Sequence, residues 1–267
     1  MSDEELLYDK AGHVATITFN RPDRMNTITM GMLDALSRRL LEADADRDVR
    51  AIVITGNGRA WCAGLDVAET AAGRGLGSAS SGVTALPGEF DLRNAPPVVL
   101  HQIDTPTIAA LNGGAAGYGL DLALGCDLRI MAEPAKLSFA FAARGVLPES
   151  GGTWLLPRLV GRSVAADLLF RARTLDAAEA RALGLCNEVV PSTALAERAA
   201  VIAGEIAANA PLAVRAAKRM LRHGSDESLE DHVQRQFLAL LPLFRTKDFA
   251  EGMTSFLEKR PPRFEGR

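Results

Sequence analysis

Residues 112–124 run Asn112-Gly113-Gly114-Ala115-Ala116-Gly117-Tyr118-Gly119-Leu120-Asp121-Leu122-Ala123-Leu124. A short apolar run, Thr107 to Leu111, precedes them and reads as a buried strand. The glycines then make a turn, and the apolar residues beyond it make a helix. The first-turn N–H groups of such a helix lack internal partners and carry a partial positive charge, so they can hold an oxyanion. Asp121 is the only charge in this helix. Read locally, it is a first-turn acid favoured by the helix dipole.

The same alternation of strand and helix extends outward from this stretch. Residues 12–19 are rich in β-branched residues and predict a strand, ended by Asn20-Arg21-Pro22-Asp23. Met32, Leu33, Leu36 and Leu40 recur at helical spacing behind Thr29, which predicts a helix over 29–43 with Thr29 as its cap. Ala51 to Thr55 and Leu128 to Met131 read as further buried strands. Beyond Gly151 the pattern is helical, over 151–158, 162–171, 176–183, 192–208, 211–223, 227–241 and 246–258. Asp176, Ser192 and Ser228 are the expected caps or first-turn residues, and a short apolar stretch at 188–190 ends at Pro191. The segment from about Ala68 to Gly88 is rich in Gly, Ala and Ser and lacks periodicity. It predicts a mobile loop or lid, since its glycines lack the spacing and the preceding strand of a phosphate loop.

Three further stretches carry candidate chemistry. In Thr55 to Asp66 an apolar strand runs into small residues, which lets backbone approach a ligand closely. In Leu147-Pro148-Glu149-Ser150-Gly151-Gly152 one carboxylate stands in a turn. Local letters favour an exposed acid capping the next helix, because charged turn residues usually face solvent. The Ser-Gly-Gly echo of serine-protease nucleophiles has no His tied to it. Glu251 to Arg260 reads as an amphipathic end with a basic tail.

Composition excludes several classes. The 267 residues carry a formal net charge of −3, and no Lys/Arg cluster is long enough to track phosphates, so nucleic acid is not an expected partner. Cys62, Cys126 and Cys186 lie far apart without a C-x-x-C pair and read as reduced, buried thiols of a cytoplasmic protein. The acidic N-terminus, MSDEELLYDK, has no apolar h-region, so no signal peptide is expected. No apolar run reaches the about 20 residues that span a bilayer, and no membrane partner is expected. The four histidines, His13, His101, His223 and His232, lack metal-ligand spacing.

Together, the four stretches resemble the crotonase superfamily, the enoyl-CoA hydratase/isomerase family, in both order and spacing. The resemblance runs from Asn20-Arg21-Pro22 to Lys259-Arg260. It implies an α/β fold, a spiral of ββα units over residues 1–195 followed by a helical trimerisation region over 196–267. It also implies an acyl-CoA substrate, a homotrimer or dimer of trimers, and no cofactor beyond the coenzyme A carried by the substrate. The oxyanion hole would be the N–H groups of Leu65 and Tyr118. Arg24, Met25, Ala63, Asp66 and Val67 match the region lining the coenzyme A site, and Phe256 and Lys259 match residues that approach the coenzyme A of a neighbouring subunit.

The acids depart from the hydratase pattern. Of the two glutamates of a typical hydratase, the first aligns with Asp121 and the second with Phe141. A phenyl ring cannot orient water or move a proton. Glu149 falls where isomerising members often carry their acid, and the stretch from Leu147 to Arg158 is similar to that of ring-opening epoxyphenylacetyl-CoA isomerases. Dienoyl-CoA isomerases pair an Asp at the first position with an acid at the Glu149 position, plus a Glu where Phe141 stands. The expected activity is therefore a double-bond shift with Glu149 as the base, Asp121 as a possible second catalytic residue, and Phe139 and Phe141 walling the acyl pocket. The alternatives are a 2-enoyl-CoA hydratase using Asp121 with Glu149, and a catalytically silent acyl-CoA binder.

Overall fold

The computed structural model describes residues 2–66, 68–69, 95–224 and 226–267. A hairpin opens the fold: β1 (Leu6–Ala11) pairs antiparallel with β2 (Val14–Phe19) across a turn at Gly12, whose φ is +57°. The strand expected over 12–19 is therefore β2 with part of the turn, and β1 is an addition to it. Only Leu6 of β1 is buried and Asp9 and Lys10 face water, so this edge strand has no clean alternation to read.

Helix α1 (Met30–Ala45) follows, with the Thr29 hydroxyl accepting from the Met32 N–H at 3.2 Å. Then the chain repeats one unit. Strands β3 (Ala51–Gly56), β5 (Thr107–Leu111) and β7 (Leu128–Ala132) join one sheet. Strands β4 (Ala60–Cys62), β6 (Gly114–Ala116) and β8 (Lys136–Ser138) join another. Each turn of the chain thus gives one strand to each sheet, and the units advance as a spiral. The large sheet has the order β1-β2-β3-β5-β7-β10, parallel from β2 onward, with β10 (Glu188–Val190) at its far edge. The small sheet is β4-β6-β8-β9, with β9 (Thr174–Asp176) antiparallel to β8. Trp61 of β4 is fully buried and meets Phe19 of β2 edge-to-face at 5.2 Å. Such a pair adds about 1 kcal/mol beyond the area it buries.

Among the described residues, helices α2 (Pro96–Gln102) and α3 (Tyr118–Gly125) lie between later strands of the spiral. Helix α3 is buried from Tyr118 to Leu124. A Cβ at Gly119 would stand 2.5 Å from the Cys62 carbonyl oxygen, so only glycine lets α3 lie this close to β4. At its other end, Arg129 of β7 is buried and its guanidinium donates to the carbonyls of Cys126 at 2.5 Å, Ala123 at 3.3 Å and Leu185 at 2.8 Å. The last carbonyls of a helix have no internal partner, and here a buried cation supplies donors. Helix α3 is thus held at its N-terminus by close packing and at its C-terminus by Arg129.

Among the described residues, the helices after the spiral are α4 (Gly152–Val160), α5 (Arg162–Phe170), α6 (Ala177–Ala182), α7 (Leu195–Ala207), α8 (Pro211–His223), α9 (Leu229–Leu243) and α10 (Lys247–Glu258). Asp176 and Glu179 form a reciprocal capping box on α6, and Ser228 caps α9. Ser192 does not cap α7: it opens a short 3-10 turn, and Ala194 stands at the helix boundary without a side-chain bond. The boundary expected at 195/196 falls at the start of α7, whose Leu195, Ala199, Ala203 and Ala207 are buried in one stripe. This stripe lies on the large sheet, so α7 packs with the spiral. Helix α8 is tied to the core by Arg215 to Asp44, Lys218 to Asp127 and Arg219 to Asp104. No residue of α9 is buried. Among the described residues, no single helix is long and apolar enough to cross a membrane.

Candidate active site

Two loops meet at the front of the spiral. One leaves β4 as Ala63-Gly64-Leu65. Ile28 pairs with Leu65 in a parallel bridge: the Ile28 N–H donates to the Gly64 carbonyl at 2.8 Å, and the Asp66 N–H donates to the Ile28 carbonyl at 2.9 Å. In a parallel bridge the flanking residues make the bonds, so the N–H of Leu65 itself points away from Ile28. The other loop leaves β6 at Gly117 and enters α3 at Tyr118. A Cβ at Gly64 would stand 3.1 Å from the Ala116 carbonyl oxygen and 3.5 Å from the Tyr118 nitrogen. Gly64 (φ +100°) and Gly117 (φ +52°) both take conformations closed to most side chains. Backbone therefore meets backbone, and the loop that carries Leu65 lies against the one that carries Tyr118. The Tyr118 N–H belongs to a helix first turn, and neither N–H donates to a backbone carbonyl among the described residues.

Both carboxylates stand in the electrostatic field of this site. The Tyr118 phenol is held far above its ordinary range, first by burial, then by the charges of Glu149 and Asp121. Glu149 is exposed, yet protein crowds its carboxyl enough that desolvation raises its pKa above the usual carboxylate value. It does not cap the following helix. Gly151 is the N-cap of α4, in a left-handed conformation and without any side-chain bond.

Asp121 is different: it is only 1% exposed. Its Oδ2 accepts from the Ser150 N–H at 3.2 Å and the Ser150 hydroxyl at 2.9 Å, while Oδ1 is buried without a hydrogen-bond partner. Burial, helped by the charge of Glu149, pushes its pKa up to about 6, against the pull of the Ser150 hydroxyl and amide and of the nearby Gly152 amide. The folded state thus holds this proton more tightly than an unfolded chain, where the value is about 3.8. Its contribution to stability is complete below about pH 4 and is lost as pH rises through about 6. The difference of roughly two pKa units is worth about 3 kcal/mol.

The other expected site residues are more dispersed. Arg24 is exposed. Met25 adopts a left-handed conformation and accepts at Sδ from Arg59 Nε at 2.8 Å. The Ala63 N–H donates to the Met25 carbonyl at 3.0 Å, which joins these two stretches. Asp66 is bound by Arg21 at 3.0 Å. Burial pushes the Asp66 carboxyl up, but the Arg21 charge and the Ala68 amide outweigh it and hold the pKa low. Val67 and most of the 68–88 segment lie outside the described residues. Phe139 and Phe141 are closed into the main core, with Phe141 4% exposed. Phe256 and Lys259 stand at the exposed end of α10. Ser150 is a site residue that sequence reasoning misses; its tie to Asp121 spans 29 positions and leaves no local signal. Among the described residues no cluster of His, Cys, Asp or Glu could hold a metal ion.

The arrangement brings two loops, each with an amide that donates to no backbone carbonyl among the described residues, into contact within the field of one exposed carboxylate. The sequence model of the family described as enoyl-CoA hydratase/isomerase matches residues 9–267. The short-chain-enoyl-CoA hydratase of Clostridium acetobutylicum is 33% identical, covering 97% of each chain. The 2,3-dehydroadipyl-CoA hydratase of Escherichia coli is 34% identical, covering 98% of this chain and 99% of its own. The crystal structure of an enoyl-CoA hydratase from Bacillus anthracis superimposes with a TM-score of 0.88 at 34% identity, over 98% of this chain and all of its own.

Proposed function

The chain belongs to the enoyl-CoA hydratase/isomerase family of the crotonase superfamily, and from that premise we propose that it shifts a double bond in an enoyl thioester of coenzyme A, with Glu149 carrying the proton. The thioester oxygen would rest on the N–H groups of Leu65 and Tyr118. Donors placed where negative charge develops stabilise an enolate and acidify the neighbouring carbons. Glu149 would take a proton from one carbon and return it to another. A carboxyl of raised pKa suits both halves of that task. The observation that carries this reading is the contrast between the acids. Glu149 is exposed, Asp121 is enclosed, and a buried phenyl ring stands at Phe141. One available carboxylate can move a proton but cannot share a water with a second. No cofactor is needed beyond the coenzyme A of the substrate.

The test offers purified protein a 3-enoyl-CoA and, separately, crotonyl-CoA. Conversion of the first to its 2-enoyl isomer should outpace formation of 3-hydroxybutyryl-CoA from the second by at least about tenfold, the effect of roughly 1.4 kcal/mol in barrier height. The second reading is 2-enoyl-CoA hydration, which the names of the hydratase relatives favour. Rapid hydration of crotonyl-CoA would select it.

We also propose that this chain assembles as a trimer or a dimer of trimers through α9 and α10. Phe237 is 58% exposed and Phe256 81%, and Val233, Leu238, Leu241, Met253 and Leu257 on the same two helices are exposed as well. Apolar area on this scale marks an interaction surface, and copies of the chain would also bring Phe256 and Lys259 to a neighbour's coenzyme A. Sedimentation velocity should give a multiple of three times the 28.4 kDa chain mass, and Phe237→Glu should shift it toward the monomer. A monomeric parent at micromolar concentration would refute the assembly. The buried free thiols fit a cytoplasmic location.

A further inference from the structure

Glu149 has an unusual pair of neighbours. Pro148 before it is buried, and Ser150 after it is buried. The Ser150 N–H belongs to the peptide plane that joins it to Glu149, and this N–H donates to Asp121. Fixing that plane anchors the Cα of Glu149, and the buried Pro148 restrains the chain on its other side, so the direction in which the Glu149 side chain leaves the backbone is restricted to what its own φ and ψ still allow. The Ser150 hydroxyl donates to the same oxygen, Asp121 Oδ2. Gly152 closes the arrangement from behind. A Cβ there would stand 2.1 Å from Asp121 Oδ1 and 2.8 Å from Pro148 Cβ. The enclosed carboxylate thus touches both the residue after Glu149 and the start of α4, and Gly152 packs against the residue before it.

We propose that Asp121 is a positioning residue, and that with Ser150 it forms a buried clamp that sets the reach of Glu149 toward the substrate. This rests on Glu149 being the proton carrier. A second proton carrier must touch the substrate or a water on it. Asp121 instead has one oxygen occupied by Ser150 and the other packed against Gly152. The raised proton affinity of Asp121 follows from that enclosure and accords with a structural carboxylate.

The experiment measures kcat and KM, on whichever enoyl-CoA ester the parent turns over fastest, for Asp121→Asn, Asp121→Ala, Ser150→Ala and the Asp121→Ala/Ser150→Ala double variant. Asp121→Ala and Ser150→Ala should each lower kcat by roughly 10- to 100-fold with little change in KM, the size of effect that follows from misplacing a reacting group by about 1 Å. The double variant should be no slower than the slower single variant, because both remove one clamp. Asp121→Asn keeps an oxygen for Ser150 and should recover most of the kcat lost in Asp121→Ala, with the acid limb of the pH profile retained. Melting curves on all four confirm that folded protein is being compared. Asp121→Asn as slow as Asp121→Ala, with the acid limb gone, would make Asp121 a proton carrier and overturn the clamp. So would losses that multiply in the double variant. Failure of the base assignment reads differently: a fully active Glu149→Gln leaves the clamp nothing to position. An inactive Glu149→Gln with a silent Ser150→Ala overturns the clamp alone.

Discussion

Glu149→Gln should lower kcat for double-bond isomerisation by about 10²- to 10⁴-fold, the usual worth of a positioned general base, at about the same KM. The amide is nearly isosteric with the carboxylate, so binding of the thioester through Leu65 and Tyr118 should persist. The pH dependence is a second signature. Glu149 must be ionised to accept a proton, and desolvation raises its pKa above the ordinary 4.5. The parent's rate should therefore fall as pH drops through that raised value, and the residual rate of Glu149→Gln should lack this limb. Asp121 also titrates in the weakly acid range, at about 6, so the limb is assigned only by the comparison with Asp121→Asn. Unchanged isomerisation in Glu149→Gln would place the base elsewhere.

Long periodic segments are legible in the sequence itself. Helix α8 lies over 211–223 as its spacing predicts, and β3, β5, β7 and β10 follow their apolar runs within a residue or two. What escapes periodicity is short or one-sided. Strands β4, β6, β8 and β9 have three residues each, less than two periods of side-chain alternation. The second sheet is therefore invisible to the pattern of single residues, although the family resemblance implies it. The site divides in the same way. The glycines of residues 112–119 read as a turn before a helix, and the structure adds how near they bring the backbone to other segments, with Gly119 against Cys62 and Gly117 against Gly64. Glu149 reads locally as a cap, but the helix behind it begins on Gly151 and takes no side-chain bond. Asp121 reads as a possible acid because its position aligns with one. Its shorter side chain ends against Ser150 and Gly152, and that enclosure depends on contacts about thirty residues away in sequence.

The oxyanion donors can be tested although they are backbone groups. Tyr118 is the first residue of α3, the position where a helix best accepts proline, because its N–H has no helical partner. Tyr118→Pro therefore removes the proposed donor at a point where the helix itself loses no bond. It also removes a buried ring, so Tyr118→Ala is the necessary control: it loses the ring and keeps the N–H. If the amide holds the thioester oxygen, Tyr118→Pro should be about 10²- to 10³-fold slower in kcat than Tyr118→Ala, corresponding to the loss of 3–4 kcal/mol of stabilisation. The two variants should melt within a few degrees of each other. The same logic separates chemistry from binding. A donor that strengthens only as charge develops affects kcat, whereas one that grips the ground-state carbonyl equally affects KM. Equal kcat in the two variants would remove the Tyr118 amide from the mechanism. It would leave the close contact of Gly64 with the 116–118 loop as packing alone.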